Sequence, residues 1–94
     1  MHTPPRILVV DDVAANVEIL RVRLAANGYD VLTASGGAEA LVAVREKTPD
    51  LIVLDIMMPK LDGLEVCRRL RADPSGPFVP IVLLTARSDP NDVV

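Results

Sequence analysis

The chain has 94 residues, of which 50% are hydrophobic and 24% are charged, a composition that favours one globular domain with an apolar core. Its formal charge of -3 and its pI near 4.9 argue against a nucleic-acid surface, which requires a basic patch. No apolar run approaches the roughly 18 residues of a membrane span, and the first one is too short for a signal peptide. We therefore expect a cytoplasmic protein.

The chain contains one cysteine and one histidine. Cys67 falls among apolar positions of a predicted helix, so we expect it to pack in the core. His2 lies in an N-terminal tail with Pro4 and Pro5, and we expect this tail to be disordered. With no second cysteine or histidine nearby, neither residue is expected to bind a metal.

Two hydrophobic periods alternate along the chain. The apolar run Arg6 to Val10 is rich in β-branched residues and predicts a buried strand, which ends at Asp11. Apolar residues at helical spacing then predict a helix from Ala14 to Asn27, which Gly28 ends in a left-handed conformation. Asp30 to Ala34 predicts the second strand.

The same alternation continues through the rest of the chain. Ala38 to Lys47 predicts a second helix, and Leu51 to Asp55 predicts a third strand that again closes on an aspartate. Gly63 to Ala72 predicts a third helix and Pro80 to Thr85 a fourth strand, before Asp89-Pro90 introduces the form of a helix start. This order predicts an α/β fold with a parallel sheet and helices on both faces.

The ends of the strands predict a site. Ligands of open parallel sheets bind beyond the carboxyl ends of the strands, where the strand order reverses. In the 2-1-3-4 order of flavodoxin-like, doubly wound sheets, the first and third strands are neighbours, so Asp11, Asp12 and Asp55 should converge. Three carboxylates repel one another without a cation, and Mg²⁺ is the hard ion that carboxylates and phosphate oxygens bind. A carboxylate beside Mg²⁺ is also a nucleophile for a phosphoryl group.

Thr85 ends the fourth strand on the same edge, where its hydroxyl could donate a hydrogen bond to a phosphoryl oxygen. Taken singly, each of these four residues also fits an ordinary strand cap or turn. Their common position at one edge of the sheet favours a phosphoryl site.

Three segments resemble the response-regulator receiver domain of two-component signalling: ILVVDD (7–12), LIVLDIMMPKLDG (51–63) and PIVLLTA (80–86). The resemblance implies that Asp55 accepts a phosphoryl group from a histidine kinase or a phosphotransfer protein and that the domain then switches conformation to control an output domain or effector. It implies a Mg²⁺ ion held by Asp11, Asp12, Asp55 and the backbone carbonyl of Met57, with Thr85 as the switch hydroxyl. It also implies no enzymatic activity beyond the domain's own phosphoryl transfer and dephosphorylation.

The sequence departs from the family pattern after the fourth strand. Receiver domains have a fifth strand, preceded by a lysine-proline motif whose lysine contacts the phosphoryl group, and a fifth helix. No lysine follows Lys60 here, so residues 1–94 read as an incomplete receiver domain that ends at the start of the fourth helix. The chain is then either a fragment of a longer regulator or a shortened protein that pairs its open edge with another molecule. A homodimer through the fourth strand or the face of the first helix is the expected form of such pairing, and neither a membrane nor a nucleic-acid partner is expected.

Two rival functions come from other classes. A phosphohydrolase of the haloacid dehalogenase type places a second aspartate two residues after its nucleophile, where this chain has Met57, which cannot move a proton. A receiver-like binding module that no longer takes phosphate is favoured by the missing lysine and opposed by the three aspartates. Phosphoryl transfer from a small donor distinguishes these alternatives.

Overall fold

The computed structural model describes residues 2–55, 63–73 and 78–84. Its elements are β1 (Arg6–Val10), α1 (Ala14–Ala26), β2 (Asp30–Ala34), α2 (Gly37–Lys47), β3 (Leu51–Asp55), α3 (Gly63–Ala72) and β4 (Ile81–Leu84). Wherever the residues are described, the predicted bounds agree with these to within one residue. The helix start predicted at Asp89 lies outside the described residues.

The four strands form one parallel sheet in the order β2-β1-β3-β4, which confirms the flavodoxin-like prediction. Val10 at the end of β1 pairs with Ala34 on one side and with Leu54 on the other, so the three strands finish almost level. Because β-α-β crossovers are right-handed, α1 lies on one face of the sheet and α2 and α3 lie on the other. The carboxyl ends of β1 and β3 are therefore neighbours.

The larger core lies between the sheet and the helices α2 and α3. Alternate residues of the two central strands face these helices, as the twofold period of a strand requires. The buried cluster contains Leu8, Val10, Ala34, Ala40, Val44, Ile52, Leu54, Val66 and Val79. Cys67 is half-buried in α3, so it packs less deeply than the sequence predicts.

The opposite face of the sheet is covered less completely. No residue of α1 is fully buried, and Ile19 and Val22 are 55% and 51% exposed. Val82 in β4 is 45% exposed, and β3 is the one strand described beside β4. The homodimer through these surfaces remains a prediction. None of the described helices is long and apolar enough to cross a membrane.

The N-terminal tail differs from its prediction. The backbone N–H of His2 donates to Asp50 Oδ2 at 3.0 Å, and His2 Nε2 lies 2.9 Å from the carbonyl oxygen of Thr48. Arg6 adds a second backbone N–H to Asp50 Oδ2, at 2.8 Å. The prediction of a disordered tail is wrong for these residues, because partners more than forty positions away in the sequence hold them.

Candidate functional site

The backbone fixes Asp11 directly beyond the end of β1. Its N–H donates to the carbonyl oxygen of Ala34 at 3.2 Å, which carries the pairing with β2 one residue past the strand. The side chain is 7% exposed. The backbone of Asp11 is therefore held at the sheet edge by the backbone of β2, which fixes the point from which its side chain extends.

A tight turn follows and leads into α1. Asp11 Oδ1 accepts the backbone N–H of Val13 at 2.9 Å, the hydrogen bond by which an aspartate forms a turn with its own backbone. The helix begins one residue later, at Ala14. The turn leaves Asp12 exposed at the surface of the site.

Asp55 reaches the same place from the neighbouring strand. It is the last residue of β3 and is 4% exposed. The structure brings one carboxylate oxygen from each of Asp11, Asp12 and Asp55 within 4.8 Å of the others. The two buried carboxylates and the exposed one thus form a single acidic cluster at the carboxyl edge of the sheet.

The donor set of this cluster fits Mg²⁺. Carboxylate oxygens are the hard ligands that this ion prefers, and water completes its octahedral shell. Oxygens that share one such ion at about 2.1 Å are at most about 4.2 Å apart. A separation of up to 4.8 Å closes by a small rotation of the exposed Asp12 side chain or by a bridging water. A cation also relieves the repulsion among carboxylates held in a crevice.

Two residues of the predicted site, Met57 and Thr85, lie outside the described residues. Gly63 is buried as the first residue of α3. Two backbone groups that position Asp11 were not predicted from the sequence: the carbonyl of Ala34 and the N–H of Val13. An aspartate at a strand end, three residues before a helix start, is the signal that could have revealed the turn.

Comparison with known proteins identifies the family. Residues 7–94 match the profile of the response regulator receiver domain. The chain belongs to this family. It is 54% identical over 89 residues to the DNA-binding response regulator MtrA of Mycobacterium leprae, a match that covers 95% of this chain and 38% of MtrA. The receiver thus spans well under half the length of that relative.

Solved receiver structures agree with the fold described above. The N-terminal domain of a response regulator receiver protein from Methanoculleus marisnigri JR1 has a TM-score of 0.83 and 41% identity, covering 87% of this chain and 67% of that one. The response regulator TrrA from Thermotoga maritima, solved in complex with Mg²⁺-BeF, has a TM-score of 0.81 and 43% identity, covering 89% and 71%. Receiver domains are signalling modules of two-component phosphorelays that interact with histidine kinases or phosphotransfer proteins.

Proposed function

We propose that this receiver accepts a phosphoryl group on Asp55, with Mg²⁺ held by Asp11, Asp12, Asp55 and the backbone carbonyl of Met57. The observation that carries the proposal is the convergence of three carboxylates within 4.8 Å at the ends of two adjacent strands. The TrrA receiver, at 43% identity, was solved with Mg²⁺-BeF, which supports the same chemistry here. The donor is a histidine kinase or a phosphotransfer protein.

The three carboxylates differ in what each is able to do. Asp11 has one oxygen committed to the N–H of Val13, so it suits a fixed metal ligand. Asp12 is exposed and adjusts to the ion. Asp55 is buried on β3, which is paired on both sides, and a rigid position of this kind favours the reacting group.

Transfer to Asp55 is an in-line displacement. A carboxylate oxygen attacks the phosphorus of the donor while the bond between phosphorus and the leaving group breaks, and the leaving group keeps the electron pair. When the donor is a phosphohistidine, the imidazole nitrogen leaves and takes up a proton. When bound, Mg²⁺ would neutralise negative charge on the phosphoryl oxygens. The product is an acyl phosphate at Asp55.

The acyl phosphate then acts through a conformational switch. We assign Thr85 as the switch hydroxyl, on the strength of its place in the PIVLLTA segment of the family. Its movement toward the phosphoryl oxygens changes the surface that an output domain or effector reads. The receiver itself is a signalling module, and its own phosphorylation and dephosphorylation are the reactions it performs.

Intact mass after treatment with acetyl phosphate tests the proposal. With Mg²⁺, the chain should gain the mass of one phosphoryl group, and chelation of the metal should abolish the gain. Asp55→Asn should gain nothing. Asp30→Asn is the matched control, because this aspartate begins β2 and so lies at the amino ends of the strands, away from the acidic cluster. This variant should gain one phosphoryl group as the native chain does.

Two results would overturn the proposal. A folded native chain that never gains a phosphoryl group is a binding module that no longer takes phosphate. A gain in Asp55→Asn equal to that of the native chain places the acceptor elsewhere.

A further inference from the structure

A surface groove lies between α2 and α3, on the face of the sheet away from α1. Its volume is about 410 Å³, and it is lined by Ala38, Leu41, Val42, Arg45, Glu46 and Arg69. None of these residues belongs to the acidic cluster. The groove is therefore a second feature of the molecule, for which the proposed phosphoryl chemistry gives no account.

The groove has an apolar part and a basic part. Both helices follow a strand of the same parallel sheet, so they run in the same direction and their last turns lie at the same end. α2 carries Arg45 near that end and α3 carries Arg69, whereas Ala38, Leu41 and Val42 lie nearer the start of α2. Val42 is 54% exposed. The apolar floor of the groove, formed by Ala38, Leu41 and Val42, thus leads to a pair of arginines, one from each helix.

Both arginines have N–H donors available for a bound partner. In the described part of the chain Arg45 takes part in no ion pair. Arg69 Nε is 3.6 Å from Glu65 Oε1, too long for a hydrogen bond, while Glu65 accepts two shorter bonds of 2.7 and 2.6 Å from Arg68. Glu46 contributes one negative charge, so the lining carries two positive charges against one negative, in a chain whose formal charge is -3.

We propose that the α2–α3 groove binds an amphipathic helix of a partner protein, with its apolar side chains over Leu41 and Val42 and its carboxylates at Arg45 and Arg69. A groove between two helices accepts a third helix by its apolar face. The 11 residues of α2 span about 16 Å, which matches about three turns of a bound helix. The apolar floor and Glu46 disfavour a nucleic acid. A partner seated here leaves the acidic edge of the sheet open to the phosphoryl donor.

Two synthetic helical peptides serve as the probe. They share the same leucines at helical spacing and differ in their polar positions, which are glutamate in one and lysine in the other. Amide chemical shifts of the 94-residue chain should move in α2 and α3 with the glutamate peptide and far less with the lysine peptide. Because the contact is electrostatic in part, its affinity should fall as salt is added.

Variants of the groove distinguish specific binding of the peptide from nonspecific binding. The double change Arg45→Glu and Arg69→Glu should weaken binding of the glutamate peptide at least tenfold, and Val42→Ala should weaken it severalfold with no change of charge. Arg23→Glu is the matched control, because Arg23 occupies the last turn of α1 on the other face of the sheet. It should bind as the native chain does.

Four outcomes would overturn this inference. They are equal binding of both peptides, undiminished binding by the double variant, shifts that map to α1 instead, and no shift with the glutamate peptide at millimolar concentration. Since the peptides do not contact the acidic cluster, failure here leaves the phosphorylation of Asp55 untouched. Conversely, a chain that takes no phosphate still shows whether the groove binds.

Discussion

Asp50 joins the N-terminal tail and β1 to the start of β3. The backbone N–H of Arg6, and to a smaller extent that of His2, hold the pKa of this carboxyl below its usual value. Because the unfolded chain then binds a proton more readily than the folded one, the interaction stabilises the protein above the ordinary aspartate pKa. That contribution is lost as the pH falls through the lowered pKa of the folded state.

The consequence is a measurable dependence of stability on pH. Asp50→Asn should be less stable than the native chain at pH 7, and the difference should shrink toward pH 3. Urea unfolding followed by circular dichroism at several pH values measures it. Glu46→Gln, which removes an exposed carboxylate of α2, is the control. A deficit of Asp50→Asn that stays constant from pH 7 to pH 3 would contradict this role.

Asp12 allows a test of metal binding without damage to the core. Since its side chain is exposed, Asp12→Ala should fold normally but lose one ligand of the proposed ion. Mg²⁺ affinity, followed by amide chemical shifts, should fall about tenfold or more. Asp30→Ala, at the far edge of the sheet, should retain native affinity. Unchanged affinity in Asp12→Ala would remove this residue from the ligand set.

At the residue scale, the sequence shows which aspartates end strands but not how their backbones are held. Asp11 and Asp55 could be placed because each follows a recognisable apolar run. The left-handed φ of 43° at Thr48 could not be predicted from the sequence, because a threonine rarely adopts this conformation. It becomes possible where tertiary contacts, such as the one from His2 to the Thr48 carbonyl oxygen, fix the backbone.

At the element scale, replacement by alanine should affect the free energy of unfolding differently at two glycines. Gly28, just after α1, has a φ of +90°, a conformation that costs a residue with a Cβ about 1–2 kcal/mol. Gly28→Ala should therefore lower the free energy of unfolding by about that amount. Gly36 caps α2 with a φ of -175°, which any residue adopts, and a Cβ there meets no atom within 4 Å.

Gly36→Ala is thus the matched control. It should change the free energy of unfolding little, because the restriction that alanine places on the unfolded chain offsets its weaker capping of a helix N-terminus. Chemical denaturation of the two variants side by side decides the matter. Equal destabilisation by both substitutions would show that the left-handed conformation at Gly28 is not the cause of the stability lost in Gly28→Ala.

The elements themselves were predictable because two periods separate them cleanly. Short apolar runs gave the strands, and helical spacing with Gly28 gave the first helix and its end. What the periodicity could not supply is the depth of burial. α1 shows helical spacing, yet Ile19 and Val22 are half exposed, since spacing says which side chains share a face and not whether that face is covered.

At the scale of the whole molecule, the exposed apolar surface predicts self-association of the 94-residue chain. Ile19 and Val82 mark the two surfaces, α1 and β4. A strand edge that no described strand covers tends to pair with another chain. Sedimentation at micromolar concentration should show a dimer or a larger species. Val82→Lys should disperse it if β4 is the contact, and Ile19→Lys if α1 is. Leu64→Lys, an exposed position in α3, is the control.

A native chain that sediments as a cooperatively folding monomer would contradict this prediction. So would an assembly that neither Val82→Lys nor Ile19→Lys weakens, because the contact would then use another surface. The phosphoryl chemistry proposed for Asp55 does not depend on the result.

The topology could be predicted because repeated β-α units and right-handed crossovers leave few arrangements. The observed order β2-β1-β3-β4 is the flavodoxin-like order that we expected, and the convergence of the aspartates follows from that order. The groove between α2 and α3 could not be foreseen in this way. Arg45 and Arg69 are 24 positions apart, and only the relative placement of two helices brings them to one cleft.

The central claim is that Asp55 takes the phosphoryl group, and identification of the modified residue tests it most directly. After reaction with acetyl phosphate and Mg²⁺, borohydride reduces an acyl phosphate to an alcohol, which converts the modified aspartate to homoserine. Peptide mass mapping then locates that residue. We expect conversion at position 55 alone, and only when Mg²⁺ is present. Conversion at position 11 or 12, or anywhere else in the chain, would contradict it.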